Sequence, residues 1–281
     1  MAELVLTAAT PHNPLLWRVL TDPPPDDLRG VAANFARIRA ALEAAAVDVV
    51  VVIGTDHIRQ FYSDNNPAFV IGLADEYHGT FENEVRTFGL PYRSVQGHRG
   101  LAEAIAGREL LTGPIDFAVS HEWRLDHSFV LPLLYLTPEF DLPIVPIHVN
   151  GVLPPLPGAD RYVALGEQVR DGIARWDSGA RVALLTSGHM ATEIGGPRQF
   201  LGGASSDAGF DADAVGWMRD GDLAAAVAGC TYERVTCAGN MTYQYVNVVA
   251  ALAAAGGRPA DLAEATPSRF APSPFFLWTE P

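Results

Sequence analysis

Val47-Asp48-Val49-Val50-Val51-Val52-Ile53-Gly54-Thr55-Asp56-His57 is the stretch on which the fold turns. Its β-branched run from Val47 to Ile53 predicts a strand, because branched side chains fit a pleated surface better than a helix. The run is continuously apolar rather than alternating, so both of its faces are expected to be buried, as in a sheet covered by helices on each side. Gly54 closes the run, and a polar segment with Asp56 and His57 follows at its carboxyl end.

Outward from this strand, Ala-rich helical stretches alternate with further short apolar runs. Strands are expected at Leu4 to Ala9, Ala68 to Gly72, Phe117 to Val119, Ile144 to Ile147 and Val182 to Thr186. Helices are expected at Leu28 to Ala46, Gly100 to Ala106, Phe129 to Tyr135, Arg161 to Trp176, Asp211 to Arg219 and Met241 to Ala255, the last capped by Gly256-Gly257. This alternation predicts an α/β fold, a central mixed sheet flanked by helices. No repeat or linker divides the chain, so residues 1–281 are expected to form a single domain. Three stretches read as long loops that wall a site: Asp22 to Asp27, Ala74 to Gln96 and Leu153 to Gly158. The tail from Ala265 to Pro281 is expected to pack on a neighbouring surface without forming an element. Its aromatic stretch Phe275-Phe276-Leu277-Trp278 points to burial against something, and so to an oligomer.

Composition narrows the partners. The 281 residues include 19 Lys+Arg and 33 Asp+Glu, a formal charge of −14. An acidic chain is repelled by nucleic acid and by anionic membrane surfaces, so neither is expected as a partner. A metal or a small ligand is easier to accommodate. The apolar stretches Ala44 to Ile53 and Val248 to Ala255 fall short of the roughly 18 to 20 residues that a bilayer requires. Cys230 and Cys237 form no C-x-x-C pair, and the chain opens without a basic leader, which together suggest a reducing, cytoplasmic setting.

Histidine placement carries the functional signal. His12 follows the first strand and His57 the second strong one, so both belong at the carboxyl edge of the sheet, where α/β folds bind ligands. Neutral imidazole is a common ligand for iron, zinc and copper. His189 again follows a strand, and His127 precedes a helix that Asp126 or Ser128 could cap. His121 and His148, the latter on a strand edge, are weaker candidates, and His78 and His98 read as solvent-facing loop residues. Arg59, Arg124 and Arg198 are candidate cations for a carboxylate on a ligand.

Several segments together resemble the class III extradiol ring-cleavage dioxygenases, of the protocatechuate 4,5-dioxygenase β-subunit and dihydroxyphenylpropionate dioxygenase types. They are Thr10 to Leu16, Gly54 to His57 with Phe61 and Tyr62, Leu125 to Pro132, Pro143 to Pro157, Leu184 to Gly188 and Ala238 to Gly256. The resemblance implies O2-dependent extradiol cleavage of a catechol- or aminophenol-type aromatic at non-haem Fe(II). It places metal ligands at His12 and His57 and a substrate-side acid/base at His127. Two positions depart from the pattern. Gln244 stands where the family has its ligating glutamate, and Thr192 stands where it has an acid/base histidine, with His189 three residues earlier. The ligand set implied is therefore His12, His57 and Gln244, with His127, His189 and Thr192 as the catalytic set. The departures keep open other readings: another divalent metal or none, a metal-deficient subunit paired with a paralogous chain, or other chemistry on a phenolic substrate.

Overall fold

The β-branched run is a strand, Val49–Gly54, buried along its whole length. Val49, Val51 and Ile53 enter one apolar core and Val50 and Val52 enter another, so successive side chains serve opposite faces of the sheet. This is why the run is apolar throughout. The computed structural model describes residues 1–107, 113–199 and 203–280.

In chain order the first elements are β1 (Glu3–Pro11), α1 (Leu15–Val19), α2 (Arg29–Ala44), β2 (Val49–Gly54), β3 (Phe69–Gly72), β4 (Glu76–Gly79) and α3 (Glu82–Phe88). Then come β5 (Arg93–Gln96), α4 (Arg99–Ala106), β6 (Ala118–Ser120), β7 (Arg124–Leu125), α5 (His127–Leu136), β8 (Ile144–Val149) and α6 (Ala159–Arg175). The remainder are β9 (Arg181–Gly188), α7 (Ala208–Asp220), α8 (Leu223–Gly229), α9 (Tyr232–Ala238), α10 (Val246–Ala254), β10 (Leu262–Thr266) and β11 (Ser273–Thr279).

The main sheet has eight strands in the order β10-β11-β1-β9-β2-β8-β3-β6. Its centre, β1-β9-β2-β8, is parallel, whereas β3 runs against β8 and β11 against β1. The sheet is thus mixed, as expected. One core gathers residues of α4, α6, α7 and α10, and the other gathers residues of α2 and α5. Among the described residues, no helix is long and apolar enough to cross a membrane.

Three expectations are corrected. The tail forms β10 and β11, and Phe275, Phe276, Leu277 and Trp278 lie in β11, buried within this chain. They therefore carry no argument for an oligomer. The segment from Ala74 to Gln96 is not one loop but β4, α3 and β5, which with β7 make a small second sheet. The last helix does not run unbroken from Met241. A 3-10 turn, Thr242–Tyr245, precedes α10, and the chain beyond it leaves through Gly256 and Gly257, both in the left-handed region as a glycine C-cap requires.

Candidate active site

Three histidines hang from three neighbouring strands. In the order β1-β9-β2, all parallel, the chain leaves each strand at the same edge of the sheet. Pro11 of β1 pairs with Gly188 of β9, so His12 and His189, each the next residue, emerge side by side. Their ring centroids are 4.3 Å apart, and the His12 and His57 centroids are 5.2 Å apart. A nitrogen from each of His12, His57 and His189 lies within 4.8 Å of the other two. The fourth ring, His127, starts α5 and stacks on His57 at 4.2 Å.

Hydrogen bonds fix which nitrogen of each ring carries the lone pair. The Ser187 hydroxyl donates to the Ser128 carbonyl at 2.8 Å, so it accepts from His12 Nδ1, 3.0 Å away. His12 Nε2 is then the lone-pair nitrogen, and it is buried with no partner among the described residues. His57 donates from Nδ1 to Asp126 Oδ2 at 2.8 Å, and its backbone N–H donates to the same oxygen at 2.9 Å. Its Nε2 accepts from the Gln244 side-chain amide at 3.1 Å. An imidazole held through Nδ1, with its lone pair on Nε2, is arranged as a metal ligand is; at His12 that lone pair is unpartnered and at His57 it meets the Gln244 amide.

Charge divides the four rings. Burial first, then the neighbouring imidazoles, hold His12 well below the usual histidine range. Burial and the His127 charge lower His57 against the pull of Asp126, and burial with His57 and His127 brings His189 down to about 3. His127 is the exception. Burial opposes its charge, but Asp126 and Glu84 outweigh burial and raise its pKa, with Nδ1 donating to Glu84 Oε1 at 2.6 Å. Burial and neighbouring imidazoles thus favour the neutral form of three rings, whereas the carboxylates beside His127 favour its charged form.

Asp126 links these parts. Its Oδ1 accepts from the Ser128 backbone N–H at 3.0 Å and caps α5, the expected role, while Oδ2 holds His57. Asp56 accepts backbone N–H groups of Arg59, Gln60 and Phe61 at 2.8 to 3.1 Å. That grip holds Ile58 at φ 57°, a left-handed conformation that strains a β-branched residue by about 1 to 3 kcal/mol. Glu84, fully buried on α3, also receives the Thr80 hydroxyl. Neither Glu84 nor the Asp126 bond to His57 was foreseen, because the partners lie 43 and 69 positions apart in the sequence.

The remaining expectations sort by position. Gln244 is fully buried against His57, its Oε1 without a partner among the described residues. Thr192 lines the cavity, and its backbone N–H is held by the Thr242 hydroxyl. His148 lies not at an edge but in β8, an interior strand, where it accepts from the Asp56 N–H. His98 is half-buried and caps α4, His78 is exposed on β4, and His121 is exposed. A cavity of about 580 Å³ opens beside His57, His127 and His189, walled by Phe88, Ile194, Met241 and Phe270. Of the loops expected to wall it, only the Ala74 to Gln96 segment contributes, through Phe88. Arg59 and Arg198 reach the cavity, but Arg124 is exposed and lies over the Phe81 and Tyr92 rings.

Comparison with known proteins agrees with this arrangement. The profile of a family described as the catalytic LigB subunit of aromatic ring-opening dioxygenase matches residues 6–272. A 2,3-dihydroxyphenylpropionate/2,3-dihydroxicinnamic acid 1,2-dioxygenase of Pseudomonas putida is 36% identical over 183 residues, 64% of this chain and 54% of that protein. An Escherichia coli O139:H28 protein of the same description is 34% identical over 183 residues, with the same shares of each chain covered. The chain thus spans about half the length of the curated relatives it matches. A crystal structure of an uncharacterized protein from Escherichia coli K12 superposes with a TM-score of 0.59 at 16% identity, covering 97% of this chain and 99% of that one, a likeness of fold alone. A profile match that runs from β1 into the segment before β11, over a sheet that carries histidines at its strand ends, settles the kinship: the chain belongs to the LigB family.

Proposed function

We propose that the chain is a metal-dependent extradiol dioxygenase that opens a catechol- or aminophenol-type ring with O2. The observation that carries this reading is the set of neutral, Nδ1-tethered histidines at the strand ends, with His12 Nε2 buried and unpartnered. A buried nitrogen lone pair with no donor to meet it is costly unless an ion takes it, so the residues fit a divalent metal. Fe(II) is the metal proposed, held by His12 and His57, with the Gln244 amide at the family's carboxylate position. Bound there, it supplies a Lewis-acidic, redox-active centre that favours the ionised diol and passes electron density from ring to dioxygen.

The chain's own groups supply the rest. Phe88, Met241 and Phe270 enclose the flat apolar ring, and a cavity of about 580 Å³ is large enough for a substituted single ring. His127, poised toward its protonated form by Glu84 and Asp126, presents Nε2–H as a hydrogen-bond donor and proton source on the substrate side. Both atoms of O2 enter the product, a muconic semialdehyde or its amino equivalent. The substrates in the relatives' names are catechols with a carboxylated side chain, which supports a substrate of that class here. A cytoplasmic setting is part of the proposal, supported by two free thiols, Cys230 and Cys237.

Anaerobic reconstitution with Fe(II), followed by O2 and a catechol panel, tests the reading. A coloured ring-fission product is expected, and it is lost in His12→Ala and His57→Ala. A wild-type chain that takes up metal yet forms no product from any diol overturns ring cleavage, and one that takes up no metal overturns the whole reading.

A further inference from the structure

The family pattern draws its third ligand from the last long helix, where this chain carries an uncharged amide. We propose that the third ligand here is His189, so that the metal is held by three imidazoles from the adjacent strand ends of β1, β2 and β9. The inference rests on the metal-binding part of the reading above and is independent of ring cleavage.

Geometry argues for it. A nitrogen ligand sits about 2.1 Å from its ion, so ligands of one ion lie within roughly 4 Å of one another. The nitrogens of His12, His57 and His189 already lie within 4.8 Å. Register sets this, since the pairing of Pro11 with Gly188 starts His12 and His189 from the same level of the sheet. His127 is excluded as the third ligand because its ring stacks on His57 at 4.2 Å rather than converging with it, and it stands outside the group that His12, His57 and His189 form. The second acidic grouping, His57 with Asp126 and His127, is a hydrogen-bond network, its short contact being the 2.8 Å bond from His57 Nδ1. His189 is buried, its ring centroid 4.3 Å from that of His12.

Gln244 has a different role. With His57 Nδ1–H committed to Asp126, the Gln244 amide N–H donates to the Nε2 lone pair, the same lone pair an ion needs. Gln244 therefore competes with the ion for His57 instead of adding a ligand. It is a positioning residue that satisfies the ring in the metal-free protein.

Metal affinity separates the two arrangements. Metal-free protein is titrated with Co(II) and with Zn(II) against a chromophoric chelator, and the Co(II) visible bands are recorded. His189→Ala is expected to weaken binding about 100-fold or more, beyond the 10- to 100-fold of an outer-shell loss, and to change the Co(II) bands. His189→Asn is the second variant, and thermal unfolding of both without metal checks that they fold. Gln244→Ala is expected to bind as tightly as wild type or more tightly. Wild-type affinity and spectrum in folded His189→Ala or His189→Asn overturn the proposal, as does a loss in Gln244→Ala equal to that in His12→Ala. No uptake of either metal by wild type overturns it together with the metal reading, whereas a failed catechol assay alone leaves it standing.

Discussion

Replacing Asp126 with Asn keeps the shape of the side chain and removes its charge. The carboxylate has two working edges: Oδ1 accepts from Ser128 N and Oγ at 3.0 and 2.6 Å, and Oδ2 accepts from His57 N and Nδ1 at 2.9 and 2.8 Å. An amide offers one accepting edge. If its oxygen keeps the α5 cap, its NH2 group faces two donors on His57. The ring relieves one clash by moving its proton from Nδ1 to Nε2, which leaves the backbone N–H of His57 unsatisfied. One lost charge-assisted bond to a buried group amounts to about 1.5 to 3 kcal/mol of stability. The moved proton also covers the Nε2 lone pair, so metal affinity falls by about 10- to 100-fold, some 1.4 to 2.7 kcal/mol. Urea unfolding of metal-free protein measures the first number and competitive Co(II) titration the second, with 15N chemical shifts of the His57 ring reporting the tautomer. Wild-type metal affinity in folded Asp126→Asn would falsify the assignment of Asp126 as the residue that orients His57.

Other outcomes follow from the same structure. A methyl at Gly188 would stand 2.5 Å from the Gln244 carbonyl, so Gly188→Ala is expected to lose about 1 to 3 kcal/mol and to weaken metal binding; unchanged urea midpoint and affinity would refute the close approach. Among the cavity-lining guanidiniums, Arg198 pairs with Glu193 and Arg269 with Asp27 at 2.7 Å, while the buried Nε of Arg59 has no partner among the described residues. Arg59→Gln should raise KM about 10- to 100-fold for a catechol with a carboxylated side chain, by loss of a charge-assisted bond, and leave plain catechol nearly unchanged; equal rises for both would sink the role. Burial, then the Asp126 charge, push the Asp56 carboxyl up to about 7. The native state then holds a proton that an unfolded carboxyl releases near pH 4, so this group makes metal-free stability fall as pH rises from about 4 to 7. Asp56→Asn should flatten that slope in urea titrations at pH 5 and 7.5, and an unaltered slope would count against the assignment.

Much of the frame was legible because the central strands announce themselves. Val49 to Gly54 and Val182 to Gly188 are buried on both faces, and that alone forces largely apolar runs. His12, His57 and His189 were placed at the crevice by the same logic, since a residue after a parallel strand lies at its carboxyl edge. What escaped was short or non-local. The two residues of β7 and the four each of β4 and β5 are too few to show a period. Pro274 and three aromatics made β11 read as a tail, though a proline is tolerated near the start of a strand. Glu84 gave no signal at all: an acidic residue on a seven-residue helix becomes His127's partner only when the small sheet folds back.

The three imidazole-bearing residues leave one rigid sheet, whereas the cavity's outer wall comes from segments around Thr192 to Ile194 and Arg269 to Pro274. Floor and wall therefore belong to different parts of the scaffold and can change separately. A library restricted to Ile194, Phe270, Ala271 and Pro272 can remodel what the cavity admits while the histidine floor stays as stiff as the core beneath it. Such a division makes this chain a practical starting point for evolving new ring preferences without rebuilding the proposed metal centre.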